Sequence, residues 1–455
     1  MSALRGTRGL RPEAATSVSA PATRVPRSVI AVFCTLLQVC LGTVYAWSFF
    51  QTMLVRDVGW TFSQTAAAFS ITIFTLGVSA ALAGQALPKV GPRFLAVMGS
   101  CLFSAGYLVA SLALSLDAIW LFYLGYGVIG GAGIGMGYVT PVATVAKWYP
   151  DRKGLVTGIV VMGFGVGAFL LSKGLAPLLV VQAQGDLQVV FLWLGVVFAC
   201  ILIPSSLVLS DPPQPPAERR PTSPRAPAPK TEAAAPYLRT SQFAIMWTVF
   251  FFNIAAGISV ISFQSELLQE VWGLADPSID PATLAEYGAT LIAVSSLCNG
   301  VGRIFWGLLS DRLGRVAVFR ILLSSQMVVF GILMTNSNPW IFSVLVCYVL
   351  LCFGGGFATM PSFIVDVFGS RNMSKIYGTV LTAWSAAGII GPMYVGYLKD
   401  TYPDRAVMYC FLIGILMLGA GYVFSFLLDD SRVRLGRPTL RATLVQYGIA
   451  VPEKG

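Results

Sequence analysis

Histidine is absent from all 455 residues. Imidazole is the most common metal ligand and the side chain that titrates near neutral pH. Zinc, haem and histidine-based acid–base chemistry therefore have little to draw on. The eight cysteines offer no substitute: Cys34, Cys40, Cys101, Cys200, Cys298, Cys347, Cys352 and Cys410 all fall inside apolar runs, with no CxxC pair. They read as small buried hydrophobes. Charge is scarce as well. Only 11% of residues are Asp, Glu, Lys or Arg, against roughly 25% in an ordinary soluble domain. No nucleophile–base constellation appears, so neither an enzyme nor a resident cofactor or metal is expected.

What fills the sequence instead is apolar: 56% of residues are hydrophobic. A spanning helix needs about 20 such residues. The chain supplies twelve runs of that length, near 29–53, 63–83, 94–116, 119–145, 155–178, 187–209, 242–264, 284–309, 316–336, 340–366, 377–398 and 407–428. The expected fold is an all-α membrane protein of twelve transmembrane helices in two six-helix bundles, with the lipid bilayer as its solvent. The expected organisation is a disordered basic tail (1–28), a first bundle (29–209), a proline-rich linker (210–240), a second bundle (241–430) and a tail (431–455). No cleavable signal peptide is apparent in the basic tail, which leaves the first span as an uncleaved anchor.

Charge sets the expected orientation. With the amino terminus inside, 25 Lys and Arg fall on the cytoplasmic side, four outside and one, Arg303, within a span; the acidic residues divide ten and ten. That bias is what the positive-inside rule describes, and it puts both termini in the cytoplasm of a cell with a bacterial inner or plasma membrane. It also accounts for the net charge of +10 without nucleic acid as a partner.

The halves repeat each other. Gly84-Gln-Ala-Leu-Pro-Lys-Val-Gly91-Pro-Arg93 follows the second span and Gly307-Leu-Leu-Ser-Asp311-Arg312-Leu-Gly314-Arg315 follows the eighth. Each places two glycines seven apart and then an arginine. Pro141 and Pro361 likewise stand seven residues before Trp148 and Phe368. Parallel six-span repeats are an architecture of secondary transporters.

The turn at 307–315 resembles the signature of the major facilitator superfamily. Within that superfamily, Tyr45-Ala-Trp-Ser-Phe49, Trp148-Tyr-Pro-Asp-Arg-Lys-Gly154 and Asn299-Gly-Val-Gly-Arg-Ile-Phe-Trp-Gly307 resemble the oxalate:formate antiporter family, which is related to the monocarboxylate transporters. The resemblance covers roughly 29–430 apart from the linker.

An ionisable group inside a span is costly and points to function. Arg303 lies about 12 Å along its helix from Asp311, with Asn299 one turn away and no acidic residue near that depth. Its counter-ion is expected to be the substrate, a small organic anion whose carboxylate matches the guanidinium fork. The resemblance implies the same role for Arg303. It also implies a departure: where the oxalate transporters carry a second cation, a lysine, this chain has Trp384. One fixed cation suits a monoanion. By the same resemblance Tyr45 and Tyr138 wall the cavity, and Phe353 and Phe357 make it less polar than in the relatives. Gln38 and Ser48 share a helix with Tyr45 and are further polar candidates.

Glycines at 125–137 and 158–167, and Gly354-Gly-Gly356, let helices approach closely. They are expected at the surfaces that close between conformations. Gly84, Gly91, Arg93, Asp151, Arg152, Gly307, Asp311, Arg312, Gly314 and Arg315 are the expected conformational latches. The leading expectation is a monomeric secondary transporter of formate-, lactate- or pyruvate-sized monocarboxylates by alternating access, with a proton or a counter-anion as coupling partner. Exchange of oxalate or another dicarboxylate for formate is the alternative within that class. A carboxylate sensor without transport is the alternative outside it, although 211–236 is too short and proline-rich to be an output domain.

Overall fold

The computed structural model describes residues 25–149, 153–212, 235–369 and 373–432. Most of both tails and of the linker, and Asp151 and Arg152, lie outside the described residues. Among the described residues, twelve helices are long and apolar enough to cross a membrane: α1 (Arg27–Val58), α2 (Phe62–Val90), α3 (Pro92–Ser115), α4 (Ile119–Trp148), α5 (Val156–Gln182), α6 (Leu187–Val208), α7 (Ser241–Ala275), α8 (Pro281–Leu313), α9 (Arg315–Thr335), α10 (Pro339–Phe368), α11 (Lys375–Thr401) and α12 (Pro403–Ser425). All twelve expected spans are present. Several helices run further than expected, α7 to 35 residues and α8 to 33; at α8 an N-terminal cap carries the helix past the apolar run.

The caps are local chemistry. Thr61 and Gln64 form a reciprocal capping box at the start of α2. The Asp280 carboxylate accepts the amides of Ala282 and Thr283 at 3.0 Å each, with Pro281 at the first helical position. Asn338 and Pro339 do the same for α10. At the repeated turns, Gly91 and Gly314 adopt φ of 82° and 88° with extended ψ. An L side chain rarely tolerates that region, so the α2–α3 and α8–α9 turns share a geometry as well as a sequence.

With twelve spans, both ends of the membrane domain lie on one face, here termed the terminal face; the opposite one is the far face. Large apolar side chains such as Trp120, Val181, Leu274, Trp340 and Val423 stand exposed on the surface, as a hydrocarbon solvent requires. The two halves meet along α2 against α11 and α5 against α8. At the second interface a Cβ on Gly165 would stand 2.8 Å from the Cα of Gly300, so the backbones touch with no side chain between them. The Ser296 hydroxyl donates to the Gly165 carbonyl there, and the Ser385 hydroxyl donates to that of Phe74 across α2–α11 at 2.9 Å. The glycine run of α10 does something different from the expected closure between halves. A Cβ on Gly354 would meet the Asn299 carbonyl at 2.1 Å, so it seats α10 on α8 inside the second half.

Candidate functional site

Arg303 projects from the middle of α8 and is 2% exposed. Its Nε, Nη1 and Nη2 all lack a hydrogen-bond partner among the described residues. What surrounds the guanidinium is aromatic. Its central carbon lies 5.3 Å from the ring centre of Phe357 and 6.0 Å from that of Phe164. Such contacts are worth about 0.5–2 kcal/mol, whereas a buried, unpaired ion costs several. The rings cannot offset the charge, and the guanidinium retains its full donor capacity.

The rest of the box is built from both halves. Trp384 of α11 stands at its centre, 4.8 Å from Phe357, 5.5 Å from Tyr138, 6.1 Å from Phe164 and 6.3 Å from Tyr45 between ring centres. Tyr45 in turn meets Phe164 at 5.2 Å and Phe353 at 5.7 Å, mostly edge to face. Tyr45 comes from a 3₁₀ turn, Thr43–Ala46, that interrupts α1. The hydroxyls of Tyr45 and Tyr138, the Trp384 indole N–H and both amide atoms of Asn299 are buried without hydrogen-bond partners among the described residues. Orphaned polar atoms of this kind are rare singly. Here they gather around one bare cation, and Arg303, Asn299, Tyr45, Tyr138 and Trp384 are each under 3% exposed, so the group is sealed from water at both faces.

The structure thus brings Arg303, Asn299, Tyr45, Tyr138, Trp384 and Phe357 together, along with Phe353. Trp384 is wholly buried and does not face lipid. Gln38 sits beside this group and ties helices together: its Nε2 donates to the Tyr138 carbonyl at 3.0 Å, joining α1 to α4, while its Oε1 stays unpartnered. Ser48 is also buried with an unpartnered hydroxyl. Two members escaped the sequence reading. Phe164 lies between Gly163 and Gly165, and a bulky ring flanked by glycines was the available signal. Tyr377 of α11 stands within electrostatic reach of Tyr138, Arg303 and Tyr45.

Arg303 is not the only buried cation, which corrects the sequence-based count. Lys399, one residue past the stretch read as uncharged, is 5% exposed. It sits some 15 residues, or about 22 Å, along α11 from Trp384, and it is paired with Glu270. The chamber itself keeps a single cation.

The repeated turns form clamps within each half. Arg315 pairs with Asp311 at 2.6 Å and with Asp366 of α10 at 3.1 Å, while Arg312 is exposed. In the first half the Nε of Arg93 donates to the Leu209 carbonyl at 3.3 Å. Gly84 is buried in α2, and Gly307 is helical in α8.

The family model described as Major Facilitator Superfamily matches residues 32–392. The oxalate:formate antiporter of Oxalobacter formigenes is 25% identical over 360 residues, covering 78% of this chain and 81% of the antiporter. The apicoplast pyruvate carrier 1 of Toxoplasma gondii is also 25% identical, over 78% of this chain and 80% of the carrier. Among solved structures, a bacterial homologue of the human lysosomal transporter Spinster superposes with a TM-score of 0.68 at 14% identity, covering 88% of this chain and 96% of the other. Twelve spans, a repeated signature turn and a site shared between halves agree with these matches: the chain is a multi-pass membrane protein belonging to the Major Facilitator Superfamily and related to its oxalate:formate antiporter.

Proposed function

We propose that the protein is a secondary active transporter of small monocarboxylates, working by alternating access with both termini in the cytoplasm of a cell membrane. The observation that carries this reading is the bare Arg303 guanidinium in a closed aromatic chamber. A carboxylate of formate to pyruvate size supplies the missing charge and accepts two parallel hydrogen bonds from the fork. Asn299, Tyr45, Tyr138 and the Trp384 indole are the donors left to orient it. The aromatic walls favour a short apolar substituent over a second charge. Names of relatives, one an oxalate:formate antiporter and one a pyruvate carrier, support carboxylates as the class.

Counterflow in proteoliposomes loaded with one carboxylate at a time tests the reading. Labelled formate, acetate, lactate or pyruvate should accumulate, and Arg303→Gln should abolish accumulation while the protein still inserts. A neutral variant that exchanges at the normal rate would sink the anion site. Exchange of a dicarboxylate is the second reading, favoured by the antiporter relative; oxalate taken up more readily than lactate would establish it.

A further inference from the structure

The far face holds a second charged group, in which Lys399 and Glu266 are buried, that the carboxylate site does not use. Asp400, at the end of α11, reaches across to the other half and caps the start of α2. Its Oδ1 accepts the Phe62 amide at 3.1 Å and its Oδ2 the Ser63 amide at 2.8 Å. The adjacent Lys399 ammonium lies 4.6 Å from the Phe62 ring centre and pairs with Glu270 of α7. Phe62 also faces Phe263 of α7 at 6.3 Å. Further round the same face Lys173 of α5 meets Glu286 of α8 at 3.6 Å. These contacts hold the halves together on this side, and the polar ones that touch α2 converge on residues 399 and 400.

Glu266 lies one turn from Glu270 on α7 and is 6% exposed. Its Oε2 is buried with no hydrogen-bond partner among the described residues. The charges acting on it are Lys399 and Glu270. Asp400 is already matched by the amides and positive end of α2. Of the other ionisable groups on this side, Cys410 of α12 is a buried thiol, the Tyr394 hydroxyl donates to the Cys410 carbonyl at 3.3 Å, and Arg56 pairs with Asp57 at 2.6 Å. From α8, Glu286 is engaged with Lys173. Lys399 supplies one positive charge and Glu270 consumes it. An ionised Glu266 would then leave one uncompensated negative charge in a dry position; a protonated one leaves the group neutral.

We propose that Glu266 is a proton-binding site and that its occupancy closes the far-face gate formed by Asp400, Lys399 and the start of α2. When the gate parts, Lys399 leaves Phe62, water reaches α7, and Glu266 can ionise. The closed state therefore binds one proton more than the open one, and acid favours closure by linkage. This inference rests on the alternating-access reading above and deepens it.

The test reads the gate directly. In a background with the eight native cysteines replaced, Thr65→Cys puts a thiol at a fully buried position of α2, one turn inside the gate. Its rate of labelling by a membrane-impermeant maleimide, corrected for thiolate fraction, is followed between about pH 5.5 and 8.5. With Glu266 present, protection should weaken as pH rises, by up to about tenfold per unit for a single proton. Glu266→Gln should stay protected throughout, and Glu266→Asp should restore the pH response. A Gln variant with an unchanged pH response overturns the proposal, as does an original protein with none. Failure of every carboxylate in counterflow would overturn the substrate reading alone, because the labelling needs no substrate.

Discussion

At the scale of single residues, the chamber is defined by what it holds once. Arg303 is its one cation, and Arg303→Lys is the informative substitution. Lysine keeps the charge but presents a point donor in place of a planar fork. The lysine variant should keep measurable counterflow, with affinity reduced by about ten- to a hundredfold, the cost of one or two charge-assisted hydrogen bonds. Trp384→Lys goes the other way by adding a second cation opposite the first. A dianion facing Arg303 alone retains one charge that a dry cavity penalises by several kcal/mol. The substitution should shift the ratio of oxalate to lactate affinity towards oxalate, measured by competition for labelled lactate. An unchanged ratio would show that charge count does not set the preference. Arg303 was legible from the sequence because a lone charge in an apolar run is conspicuous. Phe164 and Tyr377 were not, since one aromatic among 29 phenylalanines or 16 tyrosines shows its role only once helices from both halves are packed. Lys399 was missed for another reason. It sits at a helix end, where a lysine normally reaches water, and only the contact with α2 and α7 buries it.

At the scale of elements, all twelve spans were legible, because hydrophobic run length is a strong signal. The helix ends were less so: α7 continues through Glu266 and Glu270 to Ala275, past the point where polarity suggested a turn. Glycine-rich stretches were legible as contact surfaces but not by partner. Gly165 faces the other half at Gly300, whereas Gly354 faces its own half at Asn299. Spacing alone cannot separate these two cases, since both satisfy the same small-residue rule. Their consequences differ. Gly165→Leu should force α5 away from α8 and disturb the interface between halves, leaving each six-helix bundle folded. The expected result is normal insertion with counterflow lowered at least about tenfold, because misplacing a positioned group by an ångström costs on that order or more. Thermal stability of the detergent-purified protein should change less than it does for Gly354→Leu, which pushes a side chain into the backbone beneath Asn299.

For the whole molecule, the question is what joins the halves. Contacts along α2–α11 and α5–α8 are non-covalent, so they are free to part and re-form in the alternating-access cycle proposed above. The covalent joint is the segment between α6 and α7. Its start is tethered: the Trp148 indole donates to the Ser210 carbonyl at 2.7 Å, and Lys147 pairs with Asp211 at 2.7 Å. Its far end is held by the short helix Ala235–Leu238, with Tyr237 against Phe368 at 5.9 Å. Between these anchors lie residues 213–234, rich in proline and lacking apolar residues large enough to bind a surface. A fully extended chain covers about 3.3–3.6 Å per residue, so the 22 residues can bridge some 70 Å and half of them about 35 Å. Removing eleven residues from within 213–234, with both anchors intact, should leave counterflow within about twofold of the original, since a tether that is still long enough changes only a closure entropy. Loss of transport at normal membrane levels would show that the segment takes part in the conformational cycle. Removing Asp211 and the anchors as well should be more damaging, because the end of α6 would lose its tie to α4. Comparing the two deletions separates the tether's length from its attachment.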